Sequence, residues 1–459
     1  MMAAAHTASG VPLVSVGNSA LFVSGNSESL SRTPSSAGNR RTWTFSTWLY
    51  RGKQGTNQNI LVSNLSGGNF AEIRLQDDNK FRVYLNNGGS AGDLKSAQVL
   101  RDIGWYNLII ALDTTQDVAS NRCIMYINGE RVSDFTTENY PTQNLEPAIC
   151  STNEHAISGK SQAPVLDGYL AETILIDGLQ LTPSSFGQYD STGTFWTPLD
   201  SASIKGLTFG TTGFYLNNTT NAQTDASGEG NNFTNNNTVT TTTHTPTNIF
   251  AVFSPLTADT NATANSLSDG NYTAALGGSK AAMVTLPVDI TDSNGFYAEF
   301  TLDVVGNTPM VNLYASEDAG NSTTISQGGQ SSSNPSSISF RADSGSVWKG
   351  GTETTGYGST WETAGKVIGI KMKAGSLRFE IDGVDQGEAY SGLTGSFFVG
   401  CCNNTASAPN PTFSVNTGRD DWEHDPGSTY KDINTTTIAS GTTRTKSNLE
   451  EYFDTTLYE

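Results

Sequence analysis

The chain has 459 residues, a length that is typical of two or three domains. Its 25 Lys and Arg residues stand against 44 Asp and Glu residues, which gives a formal charge of −19. Because the cations form no cluster, we expect no binding to nucleic acid and no attachment to an anionic membrane surface. Charged residues make up only 15% of the chain. The Ser, Thr, Asn and Gly residues that replace them favour strands and turns over helices.

The N-terminal residues lack the basic and apolar regions of a secretion signal, and no apolar run of 18 residues is present, so we expect no membrane insertion. The four cysteines are too few for a disulfide scaffold in a chain of this length. Adjacent residues such as Cys401 and Cys402 cannot easily bridge each other. We therefore predict buried free thiols at Cys123, Cys150, Cys401 and Cys402.

Alternation with a period of two is the strongest local pattern in the first half of the chain. The run FRVYL places Phe81, Val83 and Leu85 on one face of a strand and Arg82 and Tyr84 on the other. A run that is apolar on both faces predicts a central strand at 105–112. Further strands are predicted at 43–50, 123–127 and 169–176.

Two dipeptides predict hairpins, because both central residues of a tight hairpin turn need a positive φ. Asn128-Gly129 follows the strand at 123–127, and Asp382-Gly383 follows a strand at 377–381. The second half contains further alternating or apolar runs at 296–304, 367–372, 397–399 and 413–415. No window predicts a long amphipathic helix, so the fold class is all-β, with two antiparallel β-sandwich domains.

Composition divides the chain into five segments. Residues 1–14 are predicted to be an N-terminal arm, 15–218 a first β-sandwich and 255–420 a second one. The Asn-, Thr- and Gly-rich residues 219–254 read as a polar linker, because such a stretch buries little apolar surface. Residues 421–459 are predicted to be a polar C-terminal arm, either a disordered tail or an arm that orders only against a partner subunit.

Residues 30–46 (LSRTPSSAGNRRTWTFS) and 167–178 (DGYLAETILIDG) carry two characteristic motifs. The first is similar to the opening of a laminin-G/concanavalin-A-like domain and the second to its late strand, as found in virion appendage proteins of tailed phages, especially marine phages. The second half resembles a SPRY-like domain. The first similarity continues in residues 186–190, 195–198, 213–216, 228–234 and 245–251. The SPRY-like similarity lies in residues 367–370, 377–383, 392–395 and 413–418.

The resemblance implies two jelly-roll sandwiches in a non-enzymatic virion surface protein, such as a tail fibre, spike or capsid fibre, that binds a host surface glycan or protein. An alternative is a capsid- or tail-decorating structural subunit with no receptor role, and a remote alternative is a glycan-degrading enzyme. The resemblance further implies assembly in the host cytoplasm, location on the virion surface, homo-oligomerisation and contact with other virion structural proteins. Free thiols agree with folding in a reducing compartment.

The sequence predicts no catalytic residues. A retaining glycosidase needs two carboxylates about 5 Å apart, but Glu299 with Asp303, and Glu380 with Asp382, read as the solvated faces of strands. Calcium is the cofactor that the resemblance makes conceivable, and we predict no particular metal site. Residues 77–79 read as a turn, with a ligand cluster as the alternative. Residues 225–230 resemble the start of a calcium loop, but position twelve is Asn236 and not the bidentate Glu, which excludes an EF-hand.

Glycan binding requires aromatic rings with polar groups around them. The Gly- and Thr-rich segment 348–361 carries Trp348, Tyr357 and Trp361. The two tryptophans fit either a ligand surface or the core of a sandwich, whereas Tyr357 lies between two glycines and is expected to be exposed. Tyr357, Trp348 and Trp361 are therefore the candidate ligand-binding residues.

Overall fold

A computed structural model describes residues 14–64, 70–87, 90–100, 104–159, 164–190, 193–254, 266–318, 325–405 and 408–441. These residues divide into unit 1, which ends at residue 248, and unit 2, which begins at residue 249. The prediction of an all-β fold with antiparallel sheets is confirmed. Among the described residues, no helix is long and apolar enough to cross a membrane.

Unit 1 is built from short helices and many strands. Its strands are β1 (Ser19–Phe22), β2 (Ser29–Arg32), β3 (Thr42–Arg51), β4 (Gln58–Asn64), β5 (Phe70–Leu75), β6 (Lys80–Asn87), β7 (Ser90–Val99), β8 (Trp105–Asp113), β9 (Cys123–Ile127), β10 (Glu130–Arg131), β11 (Phe135–Asn139), β12 (His155–Ile157), β13 (Gly168–Asp177), β14 (Gly187–Tyr189), β15 (Trp196–Pro198), β16 (Phe214–Leu216), β17 (Thr234–Asn236) and β18 (Thr240–Thr242). Its helices are α1 (Ala119–Arg122), α2 (Ser201–Lys205) and two 3₁₀ turns, Ser24–Asn26 and Pro183–Ser185.

Two antiparallel sheets of unit 1 enclose its core. Sheet 1 has the strand order β10-β9-β8-β3-β13-β1-β18, with β16 also paired to β13, and sheet 2 has the order β11-β7-β6-β5-β4-β12-β2-β17. Phe45 of sheet 1 and Ile73 of sheet 2 belong to the same buried cluster. The predicted hairpin is present, since Asn128 and Gly129 both have positive φ between β9 and β10.

The central strand β8 is buried on both faces, as its sequence predicts. Leu108 and Ile110 pack in the main core, whereas Ile109 packs in a second cluster with Phe209 and Tyr215. Close to that second cluster, the Tyr215 hydroxyl donates a hydrogen bond to the buried carboxyl of Glu172. Glu172 has φ +48° at an irregularity in β13, and burial raises the pKa of its carboxyl to about 7.

Most of the predicted linker is instead part of unit 1. Strand β17 pairs with β2, and β18 pairs with β1, so the Asn- and Thr-rich residues complete both sheets. The side chain of Asp225 accepts four hydrogen bonds from Tyr215 N, Ser227 N, Ser227 Oγ and Asn231 N at 2.8–2.9 Å. These bonds order the segment, and Phe233 adds a buried apolar contact to the core.

Unit 2 is a second antiparallel sandwich. Its strands are β19 (Ser266–Ser268), β20 (Thr273–Ala275), β21 (Lys280–Met283), β22 (Val288–Asp289), β23 (Phe296–Val304), β24 (Pro309–Ala315), β25 (Ile338–Arg341), β26 (Val347–Lys349), β27 (Thr352–Thr354), β28 (Val367–Lys373), β29 (Ser376–Ile381), β30 (Val384–Tyr390), β31 (Ser396–Asn403) and β32 (Thr412–Asn416). A 3₁₀ segment, Ile325–Gln330, and the helix α3 (Thr435–Gly441) accompany them.

Sheet 3 of unit 2 has the order β19-β20-β32-β23-β28-β29-β30, and sheet 4 the order β21-β31-β24-β25-β26-β27, with β22 paired to β31. Phe340 of sheet 4 stacks on Phe379 of sheet 3, with ring centroids 4.9 Å apart, so the core lies between the sheets. The second predicted hairpin joins β29 to β30, and its Asp382 and Gly383 both have positive φ.

Residues 421–441 of the predicted C-terminal arm are part of unit 2 and form hydrogen bonds with it. The Tyr297 N–H donates to Lys431 O at 3.1 Å, and the Ala251 N–H donates to Ile433 O at 2.9 Å. Ile433 is buried. Residues 442–459 of that arm, and residues 1–13 of the predicted N-terminal arm, lie outside the described residues.

The cysteine prediction is confirmed, because all four thiols are free and buried. Burial raises the pKa of Cys123 and Cys402 to about 12.

Substitution Asp225→Ala should lower the free energy of unfolding by about 3 kcal/mol, because it leaves three backbone N–H groups without their acceptor. Urea denaturation measures the effect. The exposed Asp134 offers a matched control, and Asp134→Ala should change stability by less than about 0.5 kcal/mol. Equal effects of the two substitutions would contradict the structural role of Asp225.

Glu172 should make unit 1 less stable as the pH rises from about 4.5 to about 7, because the unfolded carboxyl ionises in this range while the folded one stays protonated. The loss should reach roughly 3 kcal/mol. Buried His155, with a pKa lowered to about 4, contributes the opposite slope. The difference in unfolding free energy between Glu172→Gln and the parent protein, followed against pH, isolates the Glu172 contribution. A difference that is constant with pH would contradict it.

Candidate functional site

Tyr357 is half-buried rather than exposed. Its hydroxyl donates to Gly387 O at 2.7 Å and accepts from Phe379 N at 3.2 Å. Its ring meets Phe340 edge-on at a centroid distance of 5.6 Å, and burial raises the pKa of its hydroxyl to about 12. The hydroxyl thus joins β29 to β30, and a ligand contact through Tyr357 stays a prediction.

The two candidate tryptophans do not join Tyr357 in one surface. Trp361 is 1% exposed and packs against Phe340 at a centroid distance of 5.7 Å, so it is a core residue and cannot line an open binding surface. Trp348 follows Val347, which pairs with Phe340 on the core side. Because side chains alternate along a strand, Trp348 lies on the opposite face of sheet 4.

The carboxylates of Glu299 and Glu380 do not form a solvated face, because both are buried, at 3% and 4% exposure. The Tyr297 hydroxyl lies 3.1 Å from Glu299 Oε1 and 3.5 Å from Glu380 Oε2. Gly369 stands between the two glutamates in register, and a Cβ atom there would lie 2.6 Å from the Tyr297 hydroxyl.

Glu299 binds the C-terminal segment to sheet 3, whereas Glu380 bonds within the sheet. Glu299 accepts hydrogen bonds from the N–H groups of Glu423 and His424 at 3.0 and 2.8 Å, and Glu380 pairs with Lys371 at 2.5 Å. Burial raises the pKa values of Glu299 and of the Tyr297 hydroxyl. The cluster is covered and engaged in structural bonds.

The acidic runs considered for calcium also have structural partners. Asp225 is saturated by the four donors described above, and Asp78 pairs with Lys95 at 3.0 Å. Asn79 Oδ1 accepts from Arg51 Nη1 at 2.7 Å. In the part of the chain that the structure describes, no three His, Cys, Asp or Glu side chains are grouped to hold a metal ion.

A polar and aromatic surface lies on the outer side of sheet 2, on three neighbouring strands. Burial alternates strictly along β5, so that Ala71, Ile73 and Leu75 are buried in the core while Phe70, Glu72 and Arg74 are partly exposed on the other side. We call this surface the β5–β7 face, and its residues are Phe70, Glu72 and Arg74 of β5, Arg82 and Tyr84 of β6, and Asp93 and Lys95 of β7.

The strand register arranges this face in rows. Glu72, Tyr84 and Asp93 are direct cross-strand neighbours in one row. The Arg82 guanidinium forms a bidentate pair with Asp93, with Nε–Oδ1 at 2.7 Å and Nη2–Oδ2 at 2.6 Å. This hydrogen bonding raises the pKa of Arg82. Arg74 pairs with Glu72 at 2.9 Å.

Two aromatic rings adjoin these ion pairs. Phe70 and Tyr84 meet edge-to-face with centroids 5.2 Å apart, and the Arg82 guanidinium carbon lies 4.8 Å from the centre of the Tyr84 ring. Both rings are partly exposed. Such a surface can pack against the C–H groups of a sugar while fixed charged groups hydrogen-bond its hydroxyls.

Sequence reasoning placed Arg82 and Tyr84 on one side of a strand but did not identify a site there. The alternation in FAEIRL and FRVYLN carries the signal, because the outward positions of both strands combine charged and aromatic residues. The missing information was the pairing of β5, β6 and β7, which brings the outward residues together.

One known family matches part of unit 1. Residues 24–173 match the Concanavalin A-like lectin/glucanases superfamily. The match covers 150 of 459 residues and includes all of the β5–β7 face. No curated protein matches the chain.

Solved structures with related folds are distant in sequence. A candidate carbohydrate-binding protein from Bacteroides ovatus is 15% identical over 50% of this chain, with a TM-score of 0.33, and the chain spans 61% of that protein's length. A heptameric SAP-like pentraxin from Limulus polyphemus is 12% identical over 50% of this chain and 96% of its own, with a TM-score of 0.32. The SPRY domain of human HERC1 is 17% identical over 36% of this chain and 96% of its own, with a TM-score of 0.28.

Proposed function

We propose that unit 1 is a glycan-binding module and that the β5–β7 face is its binding surface. The observation that carries the proposal is the row Glu72–Tyr84–Asp93, in which a partly exposed ring lies between two charged groups held in fixed positions by arginines. The match of residues 24–173 to a lectin and glucanase superfamily supports the same class of ligand.

The face is suited to binding because its polar groups are already positioned. The bidentate Arg82–Asp93 pair fixes both side chains before a ligand arrives, so that little side-chain entropy remains to be lost on binding. Binding without hydrolysis is favoured because Glu72 and Asp93 are both engaged by guanidinium groups, whereas glycoside hydrolysis needs a carboxyl group that donates a proton.

Substitution Tyr84→Ala should weaken glycan binding at least tenfold, because it removes the ring on which the sugar packs. Screening on a glycan array, followed by titration of the strongest ligand, measures the effect. Tyr189→Ala is the matched control, since Tyr189 is a 42% exposed aromatic residue of unit 1 outside the face. Unchanged binding by a folded Tyr84→Ala protein would overturn this assignment.

We further propose that the protein is a homo-oligomeric subunit on the surface of a phage virion, assembled in the host cytoplasm beside other virion structural proteins. The resemblance of residues 30–46 and 167–178 to phage appendage proteins supports this role, and the four free thiols agree with a reducing compartment. Glycan binding would then attach the particle to its host.

Antibody raised against the purified protein should label intact phage particles in electron micrographs. The purified protein should also bind susceptible host cells and block infection, and Tyr84→Ala should weaken both effects at least tenfold. Labelled particles without binding to cells would favour the decorating subunit with no receptor role. Unlabelled particles would contradict the virion assignment while leaving glycan binding intact.

A further inference from the structure

A row of three cations crosses the β5–β7 face. Arg74, Arg82 and Lys95 are direct cross-strand neighbours on β5, β6 and β7. Like charges directly opposite each other destabilise a sheet, and cations are scarce in this chain, with 25 in 459 residues. Each cation pairs with an acidic residue, respectively Glu72, Asp93 and Asp78, which offsets part of the repulsion.

The two guanidiniums converge on one neutral group, the side-chain amide of Gln76. Its oxygen accepts from Arg74 Nη2 at 3.0 Å and from Arg82 Nη1 at 3.1 Å, since an amide NH₂ group could not face two N–H donors. Both arginines are 18% exposed, and Gln76 is half-buried. The two guanidinium side chains are therefore partly accessible to solvent.

The polar groups at one end of the row are incompletely paired. Asn59 is the cross-strand neighbour of Arg74 and is 0% exposed. Within the described residues, neither polar atom of its amide has a hydrogen-bond partner, and neither has Arg74 Nε. Buried polar groups are rarely left unpaired in a native structure, so these unpaired atoms are an unusual feature of this end of the row.

We propose that the row Arg74–Arg82–Lys95 binds an anionic oxygen of an acidic sugar, either a carboxylate or a sulfate, and that Gln76 occupies that position in the absence of ligand. The inference rests on the proposed function and specifies its ligand class. The guanidiniums meet a neutral acceptor in the Gln76 amide, whereas an anionic oxygen adds the attraction between opposite charges to the same hydrogen bonds, so an anionic oxygen displaces the amide. Phe70 and Tyr84 then pack against the sugar ring beside the anion.

The decisive variants change Gln76. Gln76→Glu supplies the anion from within the chain, so it should raise the melting temperature and weaken binding to acidic glycans at least tenfold. Gln76→Ala vacates the position and should strengthen that binding severalfold. Gln188→Glu adds the same charge at an exposed position of β14 and is the matched control, for which both properties should be unchanged.

Titration of the full-length protein should use two matched pairs of probes, polygalacturonate with its methyl ester and dextran sulfate with dextran. Binding confined to polygalacturonate would assign a carboxylate, and binding confined to dextran sulfate would assign a sulfate. Either affinity should decrease with added NaCl, because partly exposed charges are screened.

Two results would overturn the inference. One is equal affinity for the charged and uncharged member of each pair, and the other is binding of an acidic probe that Gln76→Glu leaves unchanged. Glycan binding that still depends on Tyr84 would in either case leave the proposed function standing. If no glycan binds, that result would instead contradict the proposed function itself.

Discussion

The alternation of side chains along β5 and β6 is the constraint on which the proposed site depends. Burying Ile73 and Val83 in the core of unit 1 fixes the direction of every other residue on these strands. A shift of one residue in register would send the charged residues inward and the core residues outward. The same apolar contacts that stabilise the sandwich therefore position Arg82 and Tyr84 at the surface.

A surface formed in this way is rigid before any ligand arrives. The polar groups of the β5–β7 face lie on central strands of sheet 2 rather than on loops. Arg82 is held by Asp93 on the next strand, and Arg74 by Glu72 on its own strand. Positions on regular elements are more precise than positions on loops. Recognition by such a face depends on matching a fixed arrangement of rings and charges.

The sequence contained most of the information on local structure. Asn128-Gly129 and Asp382-Gly383 mark hairpins because the requirement for positive φ is local to the turn. At residues 219–254 the low apolar content suggested a linker, although β17 and β18 complete the sheets of unit 1. Asp225 orders part of that segment through hydrogen bonds to the backbone, and such bonds leave no hydrophobic pattern to read.

The candidate site could be predicted from the sequence only in part. Its rows of neighbouring side chains form only when β5, β6 and β7 pair in the sheet. Tyr84 was placed on the correct face of its strand, but its neighbours Glu72 and Asp93 follow from the sheet order. Glu299 was expected to face solvent, because the sequence of β23 alternates like that of a strand with one exposed side. In the structure the C-terminal segment covers Glu299, and the sequence of β23 contains no sign of that contact. Tyr357 lies between glycines, yet its hydroxyl bonds to two strands distant from its own turn.

The pairing of β18 with β1 has a consequence for how the chain is synthesised and folded. Ala20 lies beside Thr241, and Asn235 beside Leu30, so neither sheet of unit 1 is complete until the ribosome has released more than 200 residues. Contacts between residues so far apart in sequence slow folding, since a long loop must close before they form. Until then the edges of the incomplete sheets have backbone groups that can pair with other chains. The nascent chain is therefore prone to aggregation until β17 and β18 have been synthesised.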